Sequence, residues 1–140
     1  MRFMMIVKAS KDSEAGKMPD PALIAQMTKF NEELAKAGVL VDLNGLQASS
    51  KGVRVVHSGG KRTVVEGPFK NTEELIAGYW LINVKSKQEA IEWAMRAPPP
   101  HGPDKESAIE LRQVFELEDF PPSEAIDDAR KFGEKIGKTK

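Results

Sequence analysis

Cysteine is absent from this 140-residue chain. Disulfides, thiolate metal sites and a cysteine nucleophile are therefore excluded. A net charge of one sign is also missing, because 21 basic residues balance 21 acidic ones. Such a chain lacks the positive field that attracts proteins to nucleic acids or anionic membranes. We therefore expect neither as a partner.

Long apolar runs are lacking as well. No segment approaches the ~20 apolar residues that a membrane-spanning helix needs. The apolar run before Lys8 is too short for the core of a signal peptide. Cytoplasmic residence is the resulting expectation.

The motifs of several enzyme classes are missing too. The chain has no GxxxxGK[ST] loop, no GxGxxG after a strand and no GxSxG nucleophile elbow. Its two histidines, His57 and His101, belong to no HxH or HExxH pattern, which leaves little support for a metal site. We expect no metal and no cofactor.

What the chain does contain is an alternation of strand and helix patterns. A nearly continuous apolar run predicts a central strand at residues 2–8. The polar residues 11–20 read as a loop. Asp20 and Pro21 then predict a helix start, and Gly38 predicts its end.

The rest of the chain follows the same logic. Further strands are predicted at residues 39–46, 52–58, 61–66, 77–84 and 108–118, and further helices after the caps Ser86 and Ser123. Gly59 and Gly60 predict a hairpin turn that sets His57 opposite Arg62. In the short helix after Ser86 we expect Met95 to belong to the apolar stripe.

The order is therefore β-α-β, a hairpin, β-α-β and an added helix. An antiparallel sheet with two helices on one face is a ferredoxin-like α+β fold. Residues 1–120 form this domain, and residues 121–140 add an amphipathic helix and a tail. The second sheet face mixes apolar and charged groups, so pairing with the same face of a second copy would cover it and enclose a cleft.

Motifs along residues 1–120 resemble the YCII-related family, also called the DGPF-domain family. The segments are MRFMMIVKAS at the start, FNEELAKAGVLV at 30–41, EGPF at 66–69, GYWLINV at 78–84, EAIEWAMRAPPPHG at 89–102 and IELRQVFE at 109–116. Such proteins are similar to dimeric α/β-barrel proteins, so the resemblance implies a homodimer with a cavity beneath each sheet. Glu66 stands where the family pattern has Asp. No histidine precedes His57, so the His–Asp dechlorination chemistry of one branch does not carry over.

Three residues are candidates for lining the cleft. Glu110 and Arg112 alternate away from the apolar face of the last strand. Arg112 is a candidate to bind a small anionic ligand, with Glu110 orienting it or moving a proton. A simple salt bridge between the two predicts the same orientation. Tyr79 and Trp80 must point to opposite faces, and we expect Tyr79 in the cleft, where its hydroxyl bonds a ligand or a neighbour.

Two further candidates lie on loops. Glu66 precedes Gly67, which permits positive φ, and Pro68, so a rigid turn would hold its carboxylate in a defined place for substrate binding. His101 follows three prolines and is a candidate general acid or base, because imidazole titrates near neutral pH. The alternative is a loop histidine that packs or caps locally.

Two functions follow from these residues. The first is a small-molecule-binding protein or enzyme with its site in a homodimer cleft. As an enzyme it would use His101 or Glu110 for acid/base chemistry on a small anionic substrate. The alternative is a non-catalytic regulatory or protein-interaction module. Domains that resemble this one occur as accessory parts of larger proteins, including some sigma factors, and the terminal helix could dock a partner.

Overall fold

The structure is a computed structural model that describes residues 1–137. Its strands are β1 (Arg2–Lys8), β2 (Leu40–Gly45), β3 (Val53–Ser58), β4 (Lys61–Glu66), β5 (Ile76–Asn83) and β6 (Ile109–Gln113). Its α-helices are α1 (Lys11–Glu14), α2 (Pro21–Lys36), α3 (Lys87–Arg96) and α4 (Glu124–Lys135). Short 3-10 turns lie at Ser49–Lys51, Thr72–Glu74 and Leu117–Asp119. Residues 138–140, the end of the predicted tail, lie outside the described residues.

Four strands form one antiparallel sheet in the order β2-β5-β1-β6. β1 is an inner strand, as its continuous apolar run predicts. Helices α2 and α3 each connect a strand of this sheet to the next, and both cover the same face. This order and these crossovers make the ferredoxin-like α+β fold that the sequence predicts.

The core lies between that face and the two helices. It consists of Phe3, Met5, Val7, Phe30, Leu34, Val39, Trp80, Ile82, Val84, Ala90 and Trp93. The β1 members alternate along the strand, because successive side chains point to opposite faces. Trp80 meets Phe30 edge-on, with 5.5 Å between ring centroids. The indole Nε1 of Trp80 donates to Asn31 Oδ1 at 2.6 Å, so the buried tryptophan keeps a polar partner.

Side-chain caps fix where the longer helices begin. Asp20, Ser86 and Ser123 each accept a hydrogen bond from a backbone N–H two or three residues later, which confirms the three predicted N-caps. Gly38 follows α2 with φ = +75°, the left-handed conformation that ends many helices.

The hairpin β3–β4 lies in the sequence between β2 and β5 and forms a separate two-stranded sheet. His57 pairs with Arg62, as predicted. Gly59 and Gly60 both have positive φ, at 57° and 76°, which suits the primed turn that matches the twist of a hairpin.

The base of the hairpin differs from expectation at Gly67. This residue does not adopt positive φ. A Cβ there would instead collide with the carbonyl oxygen of Ser49. Glycine is needed at this position because the two backbones approach closely.

Two predicted elements have different extents. Residues 11–20 are not all loop, because Ser10 and Ser13 cap each other reciprocally and start the short helix α1. The last strand ends at Gln113 rather than reaching residue 118. Its only partner in the sheet, β1, begins at Arg2, so the chain beyond residue 114 has no strand to pair with.

Two apolar side chains also lie elsewhere than predicted. Met95 is 81% exposed, and Trp93 fills the buried position on α3. Phe115 falls within the predicted strand 108–118 but lies beyond the end of β6; it is 70% exposed and stacks on Phe120 with 4.9 Å between ring centroids.

Candidate functional site

The sheet face opposite α2 and α3 carries two cross-strand rows of side chains. Residues directly opposite each other in an antiparallel sheet point to the same face. One row is Asn44, Tyr79, Ile6 and Glu110, and the next is Asp42, Leu81, Met4 and Arg112. We call this surface the open face.

The centre of the open face is apolar and its two edges are polar. Met4, Ile6 and Leu81 are half-buried and form a floor on the inner strands. Polar groups flank this floor on β2 and β6. The alternation of β6 and the opposite orientation of Tyr79 and Trp80 therefore bring three predicted site residues, Tyr79, Glu110 and Arg112, onto one surface.

The β6 edge presents a loosely held cation. Arg112 Nη1 donates to Glu110 Oε2 at 3.4 Å, and the two side chains are 72% and 45% exposed. Exposed pairs at such distances hold their partners weakly. A guanidinium has five N–H donors, so most of those on Arg112 are available for a ligand anion.

The opposite edge holds an ordered polar cluster. The Tyr79 hydroxyl donates to Asp42 Oδ2 at 3.0 Å and accepts from Asn44 Nδ2 at 3.0 Å. Asp42 and Asn44 were not among the predicted site residues. The signal was present, because the two polar residues alternate around Leu43 and so share one face of β2.

A second arginine on the same face is already engaged. Arg2 lies one row beyond Met4, and its Nη2 donates to Glu116 Oε1 at 2.5 Å. Its Nε contacts both carboxylate oxygens at 3.1 Å. Hydrogen bonding from Arg2 lowers the pKa of Glu116, and the same bond raises the pKa of Arg2. Arg112, unlike Arg2, is therefore the cation with capacity for an external anion.

His101 lies at the end of β1, away from the two rows. Its Nε2 is 2.7 Å from the carbonyl oxygen of Lys8. A carbonyl only accepts, so Nε2 is the donor. In the neutral ring, Nδ1 then accepts from the Ser10 hydroxyl at 3.4 Å. The ring ties the proline-rich loop before β6 to the chain that follows β1.

Glu66 is exposed at the last position of β4, opposite Val53. It belongs to the hairpin and not to the open face. The structure therefore separates Glu66 and His101 from the other three candidates.

Other surface features offer less chemistry. A depression of about 790 Å³ follows α3 and is lined by side chains of that helix alone, among them Ile91, Trp93 and Met95. A smaller one of about 280 Å³ lies at the hairpin tip between His57 and Arg62. Within residues 1–137, no group of three or more His, Cys, Asp or Glu side chains has the geometry to hold a metal ion.

No helix among residues 1–137 has the length and apolar character needed to cross a lipid bilayer.

Comparison with known proteins finds a family match that covers all six strands. Residues 1–118 match the sequence model of the YCII-related domain. The chain belongs to the YCII-related family. This match confirms the resemblance drawn from the sequence motifs.

An uncharacterized protein of Rhizobium meliloti (strain 1021) is similar to this YCII-related protein. The two are 28% identical over 85 residues, which cover 61% of this chain and 68% of the relative. The matched family region contains every strand of both sheets and ends before α4 begins at Glu124. Neither comparison names a ligand or a reaction, so the function has to be argued from the open face.

Proposed function

We propose that this protein binds a small organic anion on the open face of its sheet. The observation that carries the proposal is the pair of cross-strand rows, which surround an apolar floor with Arg112 on one edge and the Tyr79 cluster on the other. A floor of Met4, Ile6 and Leu81 suits the apolar body of a ligand. Arg112 suits a carboxylate, because a guanidinium can bind its two oxygens together.

The spacing of the sheet limits the size of that ligand. Tyr79 and Glu110 lie two strands apart in the same row, which is about 10 Å at the usual strand separation. Arg112 lies in the neighbouring row, about 12 Å from Tyr79, so a molecule of roughly that length would reach from one residue to the other. The bond from Tyr79 to Asp42 holds this hydroxyl toward β2. The hydroxyl oxygen accepts from Asn44 and has a second lone pair for a polar group of the ligand.

A second copy of the chain would complete the site. In a single subunit the floor and both edges face solvent, whereas ligand sites normally bury most of the ligand. Two open faces packed against each other would form a homodimer and enclose the ligand between the sheets. The mixture of apolar floor and charged edge on this face favours such pairing.

If the site is catalytic, Glu110 is the candidate proton acceptor. Its carboxylate lies beside Arg112, so it would be close to the atoms next to a bound carboxylate. We give His101 no part in this chemistry, because Ser10 and the Lys8 carbonyl engage both of its ring nitrogens. Glu66 takes no part either, because it belongs to the hairpin.

Thermal unfolding in the presence of small carboxylates, phenols and phosphates tests the proposal. A ligand at ~100 times its Kd should stabilise the fold by about 2.7 kcal/mol. We expect a carboxylate to raise the Tm of the wild type and to have no effect on Arg112→Ala. The control is Arg96→Ala on α3, which removes a cation that is 54% exposed on the far side of the sheet.

Two results would contradict the proposal. One is a carboxylate response that persists in Arg112→Ala. The other is the lack of any response in the wild type while Arg112→Ala is markedly less stable, which would make Arg112 a structural residue.

A non-catalytic interaction module is the second candidate. It is favoured by the exposure of Phe132 on α4 and of Ile136 directly after that helix, at 62% and 55%. Two results together would support this candidate over ligand binding. The purified wild-type protein would bind no small molecule, and it would bind a stoichiometric protein partner that is lost when residues 121–140 are removed.

A further inference from the structure

The hairpin β3–β4 exposes apolar side chains on both of its faces. Its five valines, Val53, Val55, Val56, Val64 and Val65, are between 42% and 62% exposed. Val55 pairs with Val64, and the flanking Val56 and Val65 point to the opposite side. A two-stranded ribbon is marginally stable alone in water, so these faces have reason to pack against another surface.

A second apolar surface lies in what we call the C-terminal element, residues 114–137. Helix α4 packs there against the turn Leu117–Asp119. The element still exposes four large apolar side chains: Phe115 at 70%, Phe120 at 40%, Phe132 at 62% and Ile136 at 55%. The chain therefore leaves two apolar surfaces uncovered in two different places.

The two surfaces carry opposite charge. The hairpin, residues 53–66, contains three basic residues, Arg54, Lys61 and Arg62, and one acidic residue, Glu66. The C-terminal element contains seven acidic residues against three basic ones, and six of the acids fall within residues 116–128: Glu116, Glu118, Asp119, Glu124, Asp127 and Asp128. Arg2 engages Glu116, and Arg130 contacts Asp127 at 3.4 Å. The remaining acids give the C-terminal element a negative field complementary to the hairpin.

The topology keeps these surfaces apart within one chain. The hairpin leaves the sheet beside Lys8, which pairs with Ile76 at the end of β1. The C-terminal element leaves beside the start of β1, where Val114 N donates to the Arg2 carbonyl oxygen. Six residues of strand separate the two points, about 20 Å. A two-fold axis perpendicular to the strands exchanges the ends of the sheet, and so brings each hairpin to the other copy's C-terminal element.

We infer that the hairpin of one subunit docks on the C-terminal element of a second copy, so that two identical arms clasp the dimer. The valines then cover exposed phenylalanines, and Lys61 and Arg62 lie near carboxylates of the partner subunit. This inference rests on the open-face dimer proposed above, and it adds the relative direction of the two sheets.

Cysteine cross-linking tests this arrangement with little background, because the natural chain has no cysteine. The full-length double variant Thr63→Cys/Ala125→Cys carries one thiol on the hairpin and one on α4. Treated with a short bis-maleimide at low protein concentration, it should give mostly covalent dimer on a denaturing gel. Each single variant should run as a monomer on the same gel, because it has no second thiol at the contact. So should the control Thr63→Cys/Met95→Cys, in which the second thiol is on the exposed outer side of α3.

Each other outcome overturns the inference. Covalent dimer in the Thr63→Cys single variant would mean that the hairpins pack on each other, with the two-fold axis along the strands. The double variant could also give no more covalent dimer than the α3 control while light scattering finds the protein dimeric. That result would rule out the hairpin contact and remain consistent with the open-face dimer. A monomeric protein in light scattering would rule out both the hairpin contact and the open-face dimer. Adding Lys61→Glu/Arg62→Glu to the double variant should lower the cross-linked fraction severalfold, and an unchanged fraction would remove the role of charge.

Discussion

Two arginines on the open face differ in what holds them. Arg2 makes three short contacts to Glu116, and its side chain is only 26% exposed. Arg112 makes one long contact to Glu110 and is 72% exposed. The first pair fastens the C-terminal element to the start of β1, whereas the second leaves a cation available. Sequence gives both residues the same chemistry, so their neighbours decide their roles.

The Arg2–Glu116 pair makes stability depend on pH. Because Arg2 lowers the pKa of Glu116 in the folded state, the pair stabilises the protein fully above the unfolded-state pKa of Glu116. This contribution is lost as the pH falls through the lower, folded-state pKa. We expect Glu116→Gln to lower the free energy of unfolding by about 1 kcal/mol near pH 7, after allowance for partial exposure.

Urea unfolding at two pH values measures this effect. The difference between Glu116→Gln and wild type should be present near pH 7 and shrink toward zero once the pH falls below the folded-state pKa of Glu116, which Arg2 lowers. Glu118→Gln, an exposed change in the same turn, is the matched control and should alter stability little at either pH. A Glu116→Gln deficit of equal size at both pH values would mean that packing, and not charge, is the cause.

At the scale of elements, the hairpin base depends on one close approach. Gly67 touches the Ser49 backbone, Phe69 N donates to the Ser49 hydroxyl at 3.0 Å, and Arg54 lies over the Phe69 ring at 3.8 Å. Glu14 of α1 accepts from Ser49 N at 2.9 Å. These contacts fix how the hairpin leaves the main sheet.

Gly67→Ala should therefore destabilise the protein. The added Cβ would overlap the Ser49 carbonyl oxygen, which is backbone and cannot turn aside as a flexible side chain would. We expect a loss of about 1–3 kcal/mol, the usual cost of overpacking. Gly45→Ala is the control in unfolding experiments, because nothing lies within 4 Å of its added Cβ. Equal losses in both variants would point to a general effect of removing glycine from this region.

Much of this element structure could be predicted from local patterns. Caps at Asp20, Ser86 and Ser123 involve residues two or three positions apart, so the sequence contains the whole interaction. The end of β6 was not predictable in this way, because it depends on where β1 begins. The same holds for His101, whose partners are Lys8 and Ser10 about ninety positions away. Proline content predicted a constrained loop there but not which groups the ring contacts.

The residues of the candidate site also differ in whether local sequence patterns could predict their positions. Strand alternation predicted that Glu110 and Arg112 share a face and that Tyr79 opposes Trp80. It could not predict that Glu66 lies on a separate sheet, because an EGPF turn looks the same whether or not its strand joins the main sheet. Asp42 and Asn44 were not predicted, although they alternate around Leu43 and so share one face of β2.

At the scale of the whole molecule, we propose that the open face sets the oligomeric state. A sheet covered on one side only, with an apolar floor on the other, is stabilised when a second copy buries that floor. A lysine at the centre of the face should oppose this burial, because an unpaired buried charge is costly. In light scattering, we expect the wild type to be a homodimer and Leu81→Lys to be a folded monomer.

The control for this change lies on the other side of the molecule. Met95→Lys introduces the same charge on the exposed surface of α3 and should leave the dimer intact. Circular dichroism and a cooperative thermal transition verify that Leu81→Lys is folded. A Leu81→Lys protein that remains dimeric would locate the subunit contact away from the open face.

The position of the hairpin has a further consequence for how this chain can vary. β2 and β5 are adjacent and antiparallel, with Gly45 paired to Gly78, so the thirty or so residues between them start and finish at nearly the same point. Lengthening such an excursion adds only slowly to the entropy of closing it. Residues can be gained or lost there without shifting the register of any strand in the main sheet. The hairpin is thus the part of the chain whose length and reach can change by insertion and deletion, while the two rows of the open face keep their alignment.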